Sequence, residues 1–268
     1  MAGVTGTVTL TAVAAIMDAP TAVFCMIWVA SLGIPAIPAT FWALRSIGSI
    51  RPGSNPISAD PSVRSISRDN MWISCASQLA IGFDLVIITA IVGSVAAGTY
   101  GLVTRLAAIA STITIGSLPV LLRVAGEARA HQCTTSGKST RRTVAAVLAL
   151  QLVGIIAFVA VCGTAAHILT GNQISISISL AATAGAWALL DSIRRCLAAI
   201  TSTTDGLRVW RQISVPLSIA NALASVILTM ELGMIGPLVA SAVACAAIAT
   251  LGAYRLRKEL AEVFFAGR

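Results

Sequence analysis

Asp84 and Arg105 are the two residues whose surroundings leave them least room for an ordinary role. Asp84 stands in the run IGFDLVIITA and Arg105 in YGLVTRLAAIAS, both otherwise built of apolar and small residues. An ionised side chain in an apolar span costs about 2.5–3.5 kcal/mol on insertion scales, so each needs a partner, a water-filled route or a ligand. An arginine in such a place suits an anionic group, which its planar fork of donors can grip. An aspartate suits a cation, a proton or the arginine itself. Asp84 precedes Gly93 by nine residues and Arg105 follows Gly98 by seven. At about 1.5 Å of rise per residue, both fall roughly 10–14 Å below the same membrane surface, on neighbouring antiparallel helices. The two residues either line a substrate or ion pathway or tie one hairpin together as a structural ion pair. A buried ion pair is weak evidence for stability, because an apolar pair can replace it at little cost; that favours the pathway.

A second charged group closes a later apolar run: Asp191, Arg194 and Arg195 in LLDSIRRCLAAI. It reads as an interfacial anchor or as the floor of a cavity facing a charged headgroup. Gln78 and Gln151 can bond between helices or line a cavity, and Asn221 is similar. No metal centre is expected: the six cysteines form no CxxC pair, and the two histidines have no ligand spacing. P-loop, HExxH, GxSxG and dinucleotide motifs are absent from the sequence. The chain therefore reads as no enzyme, with no catalytic residues and no cofactor.

The elements that must position these residues follow from composition. Hydrophobic residues make up 57% of the 268, charged residues only 10%, and mean hydropathy is +0.90; a soluble domain carries about 25% charged residues. Too few charges are present to cover a soluble protein of this size. The net charge of +8 is spread between apolar runs, where it sets topology and meets anionic lipid headgroups, so nucleic acid is not an expected partner. A span needs roughly 20 apolar residues, and eight candidates appear: 3–17, 21–44, 71–93, 97–122, 143–169, 174–193, 212–230 and 234–254. The expected fold is all-α, a polytopic integral membrane helix bundle of about eight transmembrane helices.

The connections give orientation. The segments 45–70, 123–142, 194–211 and 255–268 hold every Lys and Arg except Arg105, whereas the alternate connections hold none. By the positive-inside rule the basic side is cytoplasmic, which places both termini inside, in the cell inner (cytoplasmic) membrane. The Ser-, Pro- and Arg-rich stretch 45–70 is the best boundary, with two spans before it and six after. The first candidate is short and ends at Asp18-Ala19-Pro20, so the chain is expected to be a fragment of a longer one. Pro119 and Pro216 are expected to kink their helices.

The stretch 75–130 resembles the seventh and eighth helices of polysaccharide (O-antigen type) flippases, within the multidrug/oligosaccharidyl-lipid/polysaccharide exporter superfamily. The resemblance rests on Gln78 ahead of Asp84, then G-x-x-x-A-G-x-Y ending at Tyr100, then Arg105, then a Leu-Pro and a basic loop. The stretch MELGMIGPLVASAVA at 230–244 looks like that family's last hairpin, and 187–211 is similar to its tenth helix with the following loop. The resemblance implies a second six-helix lobe over 71–254, a cytoplasmic linker at 46–70, the last two helices of an incomplete first lobe over 1–45, and a cytoplasmic tail at 255–268. It further implies flipping of a lipid-linked saccharide of undecaprenyl-pyrophosphate type for polysaccharide biosynthesis, driven by a coupling cation or proton. Arg105 would meet the anionic headgroup and Asp84 would match an acidic residue of the seventh helix. Gln78, Gln151, Asp191 and Arg194 complete the expected pathway. A partner supplying the missing first-lobe helices is also implied. Two other readings stand beside it: a cation-coupled drug or small-molecule exporter of the same superfamily, and a non-transporting membrane subunit or fragment.

Overall fold

A computed structural model describes residues 61–131 and 134–265, the side chains of 61–64, 78–81, 131 and 134–136 excepted. The two spans expected within 1–44 lie outside the described residues, as does most of the linker 46–70. A compact unit begins at Pro61. Its elements are α1 (Pro61–Ile91), α2 (Ser94–His131), α3 (Thr134–Thr170), α4 (Ile178–Ile200), α5 (Thr204–Leu232), a 3-10 turn (Gly233–Ile235), α6 (Gly236–Arg255) and α7 (Arg257–Phe265). No strand occurs among the described residues.

Turn chemistry divides the helices. Gly93, at φ +113°, makes the two-residue reversal between α1 and α2, a backbone region that residues with a Cβ rarely enter. Ser177 and Thr203 cap α4 and α5, accepting from the Leu180 and Gly206 amides as N-cap hydroxyls do. Gly233 ends α5 at φ +59°. Three pairings show that α5 and α6 are antiparallel. A Cβ on Gly236 would strike the backbone of Leu228, Asn221 bonds Ser241, and the Trp210 ring lies over Gly252.

Four stretches of the described residues are long and apolar enough to cross a membrane: Ser65–Ile91, Ser94–Ala130, Gly137–Thr170 and Thr204–Arg255, the last holding both α5 and α6. The helix α4 drops out because Asp191, Arg194 and Arg195 fall within its 23 residues. The expected count of about eight is thus not reached among the described residues. Three polar connections also differ from expectation. The second part of 45–70 is the start of α1, the loop 123–142 is mostly helix from α2 and α3, and much of the tail 255–268 is α7. Polarity marks where a helix leaves the membrane, not where it ends, and these sequences carry no Gly–Pro break at those points. The helices α2 and α5 contain Pro119 and Pro216 and continue past them.

The core is built of small residues. Ala181, Ala184 and Ala188 of α4 meet Val103 and Ala107 of α2, Ile155 of α3 and Leu238 of α6, the close approach that membrane helices favour. Large aliphatic side chains instead point outward: Val86, Val95, Val153, Ile168, Ile219 and Met230 are all more than half exposed. Hydroxyls on the helices turn back onto carbonyls one turn earlier, as Thr89 does to Leu85 and Ser117 to Ile113, which satisfies them without water. An apolar exterior of this extent suits a bilayer, and the molecule is an all-α bundle of the membrane-protein type.

Candidate functional site

Two polar centres lie inside the apolar bundle. The first gathers around Asp84, seven residues before the end of α1 and 1% exposed. Tyr100 of α2 donates its hydroxyl to Asp84 Oδ2 at 3.0 Å, and Ser241 of α6 donates to the same oxygen at 3.4 Å. Asn221 of α5 donates through Nδ2 to Ser241 Oγ at 3.1 Å. Ser225, one turn after Asn221, lies beside the Asp84 carboxylate without a well-formed hydrogen bond. Four helices therefore each contribute to one cluster. They can do so because α1 packs against α2 at the Gly93 turn and against α5, while α5 and α6 form a hairpin.

The cluster is incomplete. Asp84 Oδ1, Asn221 Oδ1 and Ser225 Oγ are buried with no hydrogen-bond partner among the described residues. Leaving a buried polar group unmade costs about 1–3 kcal/mol, and three in one cluster is unusual. Asp84 Oδ1 (when ionised) and Asn221 Oδ1 can only accept, whereas the Ser225 hydroxyl can also donate. The surroundings supply only neutral donors, so no arginine or lysine balances the carboxylate. Among the described residues the Asp84 carboxylate is met by neutral hydroxyl groups alone.

The second centre is closed. Asp191 of α4 receives Arg194 through Nε at 3.0 Å and Nη2 at 2.6 Å on Oδ1, and Arg195 Nε at 2.6 Å on Oδ2. The i+3 and i+4 spacing on one helix puts both guanidinium groups over the carboxylate. Cys245 of α6 adds a thiol at 3.9 Å. Asp191 is 8% exposed and the Arg194 side chain 12%. A further buried acid, Asp69 at 3%, is held by Arg211 of α5 at 2.6 Å.

Arg105 is not paired with Asp84. It lies on the exposed face of α2, opposite the buried Val103, Ala107 and Thr114, and has no partner among the described residues. Tyr100 takes the place at Asp84 that the sequence left open for arginine. The physical reason is register: Arg105 is five residues beyond Tyr100, about 140° round the helix at roughly 100° per residue. Gln151 of α3 is fully buried and accepts from Thr114 Oγ1 at 2.9 Å, while its Nε2 is without a partner. The Gln78 side chain lies outside the described residues. Thus Asp191 and Arg194 come together, whereas Asp84, Arg105 and Gln151 occupy three separate environments.

Tyr100, Ser225 and Ser241 were missed by sequence reasoning. Asn221 and Ser225 carry a signal in hindsight, an i, i+4 pair of polar residues on an otherwise apolar helix. Ser241 carries none. No family model, no curated protein and no solved structure matches the chain. The class that fold and site define is a helical membrane bundle with one open and one closed buried polar centre.

Proposed function

We propose that this chain is a cation-coupled membrane transporter of the polysaccharide-flippase type. It moves a lipid-linked saccharide across the cytoplasmic membrane, with eight spans and both termini inside. The observation that carries the proposal is the open Asp84 centre. A carboxylate buried in an apolar bundle among neutral donors, with acceptor oxygens unmade around it, is a poor structural device and a good seat for a coupling ion. Ion entry would draw Asp84, Asn221, Ser225 and Ser241 together, and so couple α1, α5 and α6. That gives an ion gradient mechanical purchase on the bundle. The exposed cation Arg105, about 16 Å along α2 from the α1–α2 turn, suits the phosphate of the carried lipid.

The test is export in a cell that depends on this gene. Asp84→Ala is expected to stop export of surface polysaccharide while the protein is still inserted at normal level. Undiminished export by that variant would remove the proposal.

A further inference from the structure

The open centre draws Asp84 from α1, Asn221 and Ser225 from α5, and Ser241 from α6, and α5 packs against both of the other two helices. Tyr100 belongs to α2, which packs chiefly against α3 and α4. Its hydroxyl, 3.0 Å from Asp84 Oδ2, is thus the point where a second set of helices reaches the carboxylate. Tyr100 is 3% exposed, so bulk water is not at hand to replace that acceptor. Gly101, next to it, offers α1 only backbone; a Cβ there would meet Leu85 Cδ2 at 3.6 Å, an ordinary contact. At this level of the hairpin the polar bond is a directional tie between α1 and α2.

The strength of that tie depends on the charge of Asp84. A hydrogen bond to an ionised carboxylate is roughly twice as strong as one between neutral groups. A cation or proton taken up by the carboxylate removes most of the excess. The Tyr100 bond is therefore strongest when the carboxylate is bare and weakest when it is neutralised. By linkage, the bond must oppose neutralisation by the same factor. A tyrosine that only fills space in the core has no such effect.

We propose that Tyr100 is the positioning residue that passes the occupancy of Asp84 to α2, the helix that carries Arg105 five residues further on. This rests on the coupling-ion reading of Asp84 and adds the route by which the ion reaches the other helices. Ion entry draws α1, α5 and α6 together, slackens the Tyr100 bond and frees α2 to shift against α1.

The experiment compares the purified full chain with its Tyr100→Phe variant in detergent. Melting temperature is titrated with sodium, with potassium and with acid, and the midpoint of the response is read. Tyr100→Phe is expected to respond to the same species at about tenfold lower concentration, the scale of one hydrogen bond to a charged group. The second readout is the distance between spin labels on the exposed native Cys75 of α1 and on Leu122→Cys of α2. Cys25→Ser and Cys133→Ser keep the labelling specific, and Cys162, Cys196 and Cys245 are buried. In the wild type the distance is expected to lengthen as the ion saturates; in Tyr100→Phe it is expected to be long from the start. If Tyr100→Phe does not fold, Asp84→Asn serves, because its amide imitates the neutralised carboxylate. That variant is expected to show the ion-saturated distance without ion, and the ion-free wild-type distance in it would overturn the inference. An unchanged midpoint in Tyr100→Phe would make Tyr100 a packing residue, and a higher midpoint would make it a ligand of the ion; either overturns the inference while the coupling-ion reading stands. A lowered midpoint with an unmoved label distance would overturn the passage to α2. A wild type that responds to none of the three species would overturn the coupling-ion reading and the inference with it.

Discussion

Asp84 and Asp191 are both aspartates buried in an apolar helix bundle, yet their surroundings are opposite. Asp191 meets two guanidinium groups from its own helix and a thiol from α6, so both carboxylate oxygens are engaged by charge-assisted bonds. Asp84 meets only hydroxyls on one oxygen, and the other is unmade. The first arrangement balances the carboxylate within one and a half turns of α4 and leaves one positive charge over, with Arg195 the more exposed of the two arginines. The second draws on four helices and includes no basic side chain among the described residues. Burial alone therefore does not distinguish the two carboxylates; the charge of the groups that meet them does.

That contrast breaks most easily at Asp191. Asp191→Ala leaves Arg194 and Arg195 without a counter-charge in a largely buried place, and a loss of about 3–5 kcal/mol is expected. Thermal unfolding in detergent, together with the yield of inserted protein, measures it. A melting temperature equal to wild type would mean that the arginines are already hydrated and the centre is not closed. On the same side of the bundle, Gly252→Ala pushes against the Trp210 ring and threatens its bond to Thr201, 2.8 Å long. A cost of about 1–3 kcal/mol is expected from such overpacking, and no cost would show that the packing there is loose.

At the open centre the effect on stability is smaller and that on transport larger. Asp84→Asn keeps the shape and an acceptor for Tyr100, so stability is expected to shift by less than about 1.5 kcal/mol, the size of one net hydrogen bond, while export is lost. Collapse of the fold in this variant would place Asp84 with Asp191 as a structural residue. Arg105→Ala is expected to change stability by no more than about 0.5 kcal/mol, as at other surface positions, with export lost and insertion unchanged. A large fall in melting temperature would reveal a structural partner for Arg105.

The sequence made some of this legible and hid the rest for identifiable reasons. Asp84 stood out because an acid within IGFDLVIITA has no cheap explanation, and Asp191 with Arg194 and Arg195 stood out through its i+3 and i+4 spacing. The helical class followed from the length of the apolar runs. Helix ends were misplaced by the basic segments, since Arg129 and Arg141 sit on helices that continue beyond the apolar zone. There Arg129 bonds the carbonyl of Ile200, and Arg141 lies over the ring of Phe265. The partner of Asp84 was beyond reach from spacing, because pairing with Arg105 or with Tyr100 depends on helix rotation, and charge argued for the wrong one. Ser241 was hidden because a serine among alanines in a membrane helix usually bonds its own backbone.

The central claim is that the Asp84 centre is completed by a positive species. The direct measurement is the melting temperature of the purified full chain in detergent, titrated with sodium, with potassium and with acid, for wild type and Asp84→Asn. A species that binds the folded state raises stability by mass action. The account predicts a saturable rise with one of these in the wild type and its loss in Asp84→Asn. An identical response in both proteins, or no response to any ion or to pH in the wild type, would contradict it.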